Sequence, residues 1–247
     1  MTELFYCADL RAATVTLSDA EAHHAIHVLR LKLHDAIGLF DGAGTRASAV
    51  ITAIDRRTVT ASVSSSTFTQ KPTVGRLTVA ASPAKGDRLK WMIEKLTELS
   101  VDTYIPLLTE RTVVDPRKSK LDKLSANVIS AAKQSGQLWL MDVAAPMKLA
   151  EMLQVTASST RYYIAHPYAA DAEPTDCPGV FPPDASQNNH VLLIGPEGGF
   201  TDAEVQLAIN AGATSISLPG TILRIETAAI AFSAILQQSI SRRAAGV

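Results

Sequence analysis

Apolar and polar positions along this chain follow two rhythms, and the change between them falls near residues 64–73. Before it, short apolar runs (AIGLF, ASAVITAI, TVTASV) alternate with turn-forming Asp41-Gly42-Ala43-Gly44 and Asp55-Arg56-Arg57. That pattern predicts a small β-rich module. A helix precedes it over SDAEAHHAIHVLR, where Ser18 and Glu21 have the spacing of a capping box. The stretch SSSTFTQKPT, polar and closed by Pro72, reads as the break between modules.

After the break, strand patterns alternate with helical ones. RLTVAA, TYIPLL, RYYIAH, HVLLI and TSISL are strand candidates. A helix is predicted over Lys85–Leu99, with Leu89, Met92, Ile93, Leu96 and Leu99 on one face. Another runs from Ser119 to Gln134, with Leu121, Leu124, Val128 and Ala131 or Ala132 inward and Gly136 as its stop. Further helices are expected at 201–211 and from Arg224 to about Ser241, and a loop rich in Pro and Asp covers 171–189. Such alternation implies a parallel sheet with helices on both faces.

Composition narrows this picture. With 47% hydrophobic and 19% charged residues, the 247-residue chain has enough apolar material for a buried core. No apolar stretch reaches the roughly 20 residues that span a bilayer. The N-terminus, with Glu3 and Asp9, lacks the pattern of a cleaved signal. Cys7 and Cys177 form no CxxC pair, so neither a disulfide framework nor a zinc site is expected, and a reducing cytoplasm is. His23, His24, His27 and His34 match no metal-ligand spacing, and no metal is assigned. The net charge of −1 does not mark a nucleic-acid binder. The local excess of Arg111, Arg117, Lys118, Lys120 and Lys123 over Asp115 and Asp122 suits either phosphates or a solvated helix face.

Two bends carry the candidate chemistry. The strand HVLLI runs into Gly195-Pro196-Glu197-Gly198-Gly199, and Thr201 with Glu204 sets a capping box for the next helix. Ligands of open α/β sheets lie outside the carboxyl ends of the strands. A phosphate loop is a poor fit, because the glycine spacing is wrong and Glu197 is acidic. An adenosine-type ligand without phosphate meets neither objection. The second bend, Pro219-Gly220-Thr221, leads to a helix with Arg224 and Glu226 near its start. Small residues Thr227, Ala228, Ala231 and Ala234 along that helix suit close packing. By spacing alone, Arg224 and Glu226 serve equally as a structural pair at a helix start.

Together these segments resemble the ribosomal RNA small-subunit methyltransferase E family of the SPOUT superfamily. The resemblance rests on Ile194–Phe200, Glu204, Ile222-Leu223-Arg224 and Glu226-Thr227-Ala228. Further blocks agree: Lys85–Arg88 with Lys95 and Glu98-Leu99, Pro106–Val113, Ala132 with Gln134–Gly136, and His23-His24, Val28–Arg30 and Phe40–Gly42. Three positions depart from it. Thr221 and Gln137 stand where arginines are usual, and Ser100 replaces a glycine.

The resemblance implies a trefoil-knotted parallel-sheet domain at 74–247, preceded by a PUA-like β-barrel for RNA recognition at 1–70. It implies a homodimer that uses S-adenosylmethionine to methylate uridine N3 in 16S ribosomal RNA, free or in the small subunit. On that reading the cofactor meets Leu193, Ile194, Gly195, Gly199, Leu218, Ile222, Leu223 and Thr227. Arg224 holds the uracil or its developing charge, Glu226 orients Arg224 or relays a proton, and Arg30, Lys32, Arg88 and Arg111 face RNA. Two alternatives are a knotted methyltransferase acting on transfer or large-subunit RNA, and a non-catalytic RNA-binding assembly protein.

Overall fold

The computed structural model describes residues 3–73, 75–114, 121–154, 160–166, 189–218 and 222–244. The chain forms two compact units. The first runs to Lys71 and takes in Ile129–Leu140; the second holds Pro72–Val128 and the chain from Met141 onward.

The first unit contains β1 (Leu4–Tyr6), β2 (Thr14–Leu17), α1 (Asp19–His23), β3 (Ala36–Phe40), β4 (Thr45–Ile54) and β5 (Val59–Phe68). They make one sheet in the order β1-β3-β4-β5-β2, antiparallel except for the β1–β3 pair. Alternate residues of the strands, such as Val15, Leu17, Ile37, Leu39, Ala47, Ala49 and Ile51, bury one face together with Phe5 and with Ala22 and Ala25.

Three sequence expectations change here. The polar SSSTF stretch is not a linker but the end of β5, with Ser65 to Phe68 paired to Ser48 through Thr45. Side chains exposed along this stretch hide the alternation from a hydrophobicity pattern. The helix expected through Arg30 is a five-residue α-helix that widens into a π-helical turn over His24–Val28, where the Leu29 N–H reaches the His24 carbonyl at 3.0 Å. The Ser18–Glu21 box does not form: Ser18 makes no side-chain capping bond. The Glu21 carboxylate instead accepts the Tyr6 N–H at 3.1 Å and the Lys133 ammonium at 2.8 and 3.0 Å. A charged tertiary partner has displaced a local one.

The Asp41–Gly44 turn is a second organising point of this unit. Gly42 and Gly44 have φ of 70° and 102°, and a Cβ on either would run into Leu140 or Trp139. Asp41 Oδ1 accepts the N–H groups of Ala43 at 2.7 Å and Thr45 at 2.9 Å. Burial works against this carboxylate, but hydrogen bonds from the Thr45 hydroxyl and these N–H groups outweigh it and hold the pKa below its ordinary 3.8.

The second unit contains β6 (Arg76–Ala81), α2 (Asp87–Glu98), β7 (Thr103–Leu108), α3 (Leu121–Ser135), β8 (Asp142–Val143), β9 (Met147–Lys148) and α4 (Leu149–Gln154). It continues with β10 (Thr160–Ala165), β11 (Asn189–Ile194), α5 (Asp202–Asn210), β12 (Thr214–Ile216) and α6 (Ile225–Ala244). The last turns of α3 lie in the Ile129–Leu140 segment of the first unit. The sheet order is β12-β10-β11-β6-β7-β8, β9 pairs with β7 as well, and every pairing is parallel.

Strands buried on both faces explain the continuous apolar runs in the sequence. One parity, Ala80, Leu107, Tyr162, Ile164, Val191 and Leu193, packs with Leu149 and Met152 of α4 and Ala208 of α5. The other parity includes Val79, Tyr104, Tyr163 and Leu192, all fully buried, and α6 packs on β6 and β11 and against α2. Thus the expected layers, parallel sheet and five principal strands are present. The short β8, β9 and α4 were not anticipated, because two-residue strands carry no periodicity. The threading that would make the domain a trefoil knot depends on the bend at 219–221, outside the described residues. The loop 171–188 and Arg117, Lys118 and Lys120 also lie outside them.

α2 ends in a pair of reciprocal bonds, Val101 N–H to Leu96 O and Ser100 N–H to Thr97 O, both 3.0 Å. This is the arrangement that places the residue after the cap in the left-handed region. Ser100 sits there with φ 60°, at the position where the resembled family carries glycine. Ser100→Gly is expected to raise stability by about 0.5–1 kcal/mol, read as a higher Tm; an unchanged or lower Tm contradicts the strain argument. Asp41→Ala is expected to cost about 1–2 kcal/mol at neutral pH. Because the folded pKa is depressed, that difference is present above the unfolded value and shrinks as pH falls below about 4. Urea titrations of both proteins at pH 7 and pH 3 measure it, and a difference of equal size at both would contradict the assignment.

Candidate functional site

β10 lies between β11 and β12, so the carboxyl ends of three parallel strands come side by side. Ala165 pairs in register with both Ile194 and Ile216. The chain leaves these ends through His166, Gly195 and Ser217, and there a cavity of about 540 Å³ opens. That size suits a small organic ligand. Its floor is apolar, from Ile194, Ile216, Phe200 and, on α6, Ile225, Ala228 and Phe232.

The first bend is shaped by glycine. A Cβ at Gly195 would lie 3.1 Å from the Phe200 ring, which turns back beneath the loop. Gly199 has φ +68° and its N–H closes a turn on Pro196 O at 2.8 Å; nothing stands within 4 Å of where its Cβ would be. The Thr201–Glu204 capping box expected from the sequence forms, with Glu204 N–H to Thr201 Oγ1 at 3.3 Å and Thr201 N–H to Glu204 Oε2 at 2.9 Å. It fixes where the loop stops.

The Glu110-Arg111 segment after β7 straps the same loop. Glu110 N–H donates to Glu204 Oε1 at 2.8 Å, and Arg111 Nη1 donates to Gly198 O at 2.8 Å. Arg111, expected to face RNA, therefore lies on the cavity wall with its guanidinium bonded to a loop carbonyl.

The second bend closes the cavity with Leu218, Leu223 and the largely exposed Ile222. Pro219, Gly220 and Thr221 lie outside the described residues. Arg224, between the lining residues Leu223 and Ile225, is exposed, and its guanidinium makes no hydrogen bond or ion pair among the described residues. Glu226 is only 4% exposed and turns to Arg88, not Arg224: its Oε1 is 3.6 Å from Arg88 Nη1. Glu226 Oε2 is buried with no hydrogen-bond partner among the described residues.

Six of the residues expected around a cofactor, Ile194, Gly195, Gly199, Leu218, Ile222 and Leu223, line this one cavity. Leu193 does not: strand alternation turns it to the opposite face, in the core beneath α4 and α5. Thr227 is exposed and off the wall. Arg30 and Lys32 are exposed in the first unit, Arg30 with φ 54°. The sequence missed His166, a wall residue whose Nδ1 is buried without a partner among the described residues. Its position as the last residue of the predicted strand RYYIAH, at the carboxyl end, was the available signal. Glu197, weighed from the sequence only as an argument against a phosphate, and Asp202, not weighed at all, also line the wall.

The chain is similar to known proteins in sequence and in fold. The RNA methyltransferase domain family matches residues 69–237, and the RNA methyltransferase PUA domain family matches residues 17–64. A ribosomal RNA small subunit methyltransferase E from Synechocystis is 33% identical over 223 residues, spanning 87% of this chain and 70% of that protein. One from Rickettsia conorii is 32% identical over 215 residues, covering 86% and 84%. The crystal structure of a ribosomal RNA small subunit methyltransferase E from Neisseria gonorrhoeae, bound to S-adenosyl methionine, superposes with a TM-score of 0.83 at 30% identity over 96% of this chain and 98% of that one. Both domains, their order and nearly the full length are accounted for, and the chain belongs to the ribosomal RNA small subunit methyltransferase E family of RNA methyltransferases.

Proposed function

We propose that the cavity at the ends of β10, β11 and β12 binds S-adenosylmethionine, and that the protein methylates N3 of a uridine in 16S ribosomal RNA. The observation that carries this reading is the convergence of both family-matching bends on one cavity of about 540 Å³. The lining fits the ligand. The bare backbone at Gly199 leaves room for a flat base, the apolar floor suits it, and Glu197 and Asp202 complement a cation. The buried, unpartnered Nδ1 of His166 offers a polar contact.

S-adenosylmethionine supplies an electrophilic methyl group on a sulfonium centre, so the protein's task is alignment, water exclusion and control of charge. Uridine N3 carries a proton at neutral pH, and its nucleophilic form is an anion. Arg224, exposed and without a partner among the described residues, is suited to hold the uracil and stabilise that anion as the proton leaves. The first unit, matched by the PUA domain family, supplies RNA-binding surface, with Arg30 and Lys32 as exposed cations. A cytoplasmic homodimer, with the small subunit or its RNA as substrate, is part of the same proposal. Gln137, standing in place of an arginine, favours a second reading in which the target is another RNA.

Methyl transfer from labelled S-adenosylmethionine to separated RNAs tests both readings. Label at N3 of uridine in 16S RNA is expected; label confined to transfer or large-subunit RNA would favour the second. Arg224→Ala is expected to slow methylation by about 100-fold or more while changing cofactor affinity by less than about threefold. Full activity in that variant would remove Arg224 from the chemistry.

A further inference from the structure

Arg88, the second residue of α2, stands between a carboxylate of the glycine bend and one at the start of α6. Its Nη2 is 3.9 Å from Glu197 Oε1, on the glycine bend, and its Nη1 is 3.6 Å from Glu226 Oε1, in the first turn of α6. The two carboxylates differ in their access to water. The Glu197 side chain is 42% exposed, so its pair with Arg88 is worth little by itself. The Glu226 side chain is 6% exposed and has one oxygen without a partner among the described residues. A carboxylate so far removed from water needs a compensating charge, and Arg88 supplies it.

We propose that Arg88 is a positioning residue rather than an RNA contact. Glu226 anchors its guanidinium, and the anchored guanidinium holds Glu197, so the glycine bend and the start of α6 keep the separation that admits the ligand. This rests on the reading of the cavity as the S-adenosylmethionine site. Arginine suits the task because two different terminal nitrogens face the two carboxylates, which the single ammonium of lysine cannot reproduce. Both separations exceed the roughly 2.7–3.2 Å of a direct hydrogen bond, which leaves slack for the bends to draw together on a ligand.

The test compares R88M, R88K, E226Q and the double variant R88M/E226Q with the unaltered protein. Three measurements are made: melting without ligand, calorimetry with S-adenosylmethionine, and 16S RNA binding over a salt series. R88M should lower Tm by about 3–5 °C by leaving Glu226 uncompensated, and E226Q in the same chain should recover most of that loss. Cofactor affinity should fall about tenfold in both R88M and R88K, and E226Q should not restore it in R88M, because the hold on Glu197 is still missing. The salt dependence of RNA binding should not change. Unaltered cofactor affinity in R88K would overturn the proposal. So would an R88M protein that binds cofactor normally while its RNA salt slope drops by about one, the signature of a lost phosphate contact. If the unaltered protein takes up no S-adenosylmethionine, the reading of the cavity fails and this inference with it, an outcome distinct from tight binding that R88K preserves.

Discussion

The parallel pairing of β10 with both β11 and β12 is the constraint from which the site follows. Parallel strands cannot be joined by tight turns, so each must be left and re-entered through long connections that start at the same end of the sheet. With β10 in the middle, three exits meet at Ala165, Ile194 and Ile216 in register. The segments leaving them have to diverge, and the space they leave is the cavity. Neither bend has to be shaped for a ligand before the sheet forms, because the sheet places them.

What the bends add is control of spacing. The glycine bend is held by Arg111 at Gly198 O, by Glu204 through its capping box and the Glu110 N–H, and by Phe200 tucked under Gly195. The first two ties originate in the segment after β7 and in α5. Arg88 reaches Glu197 of the bend from α2 and faces Glu226 of α6 in turn, and the two helices pack together over the other face of the sheet. Arg224, two residues before Glu226 in the chain, makes no hydrogen bond or ion pair among the described residues, which separates the residue available to substrate from those that shape the pocket. Arg111 and Glu204 are bonded to the segments they tie, Arg88 faces the carboxylates of Glu197 and Glu226, and Glu197 and Asp202 line the cavity.

Much of this was legible in the sequence because parallel strands are buried on both faces and their apolar runs stand out. RLTVAA and TYIPLL appear as β6 and β7 without a shifted residue, and the Thr201–Glu204 box forms as its spacing implies. What escaped depends on partners distant in the chain. Ser18 and Glu21 have the same box spacing, yet Glu21 is taken by Lys133, 112 residues away. The solvent-facing end of β5 carries no apolar alternation, so it resembled a linker. Leu193 was placed on the cavity wall by its neighbours in the motif, although strand parity turns it to the other face. Arg88 and Arg111 were expected to face RNA, and no local pattern reveals that a charge faces a buried carboxylate or a loop carbonyl. Departures from the family motif proved informative too: Ser100 occupies a left-handed position that glycine fills without strain.

The central claim is that the bend after β11 and the bend before α6 enclose one methyl donor. A crystal structure of this protein grown with S-adenosylmethionine addresses it most directly. The account predicts electron density for the ligand between the Gly195–Gly199 backbone and the Leu218–Leu223 segment, in contact with both. Density elsewhere, or in contact with only one of the two, would contradict it.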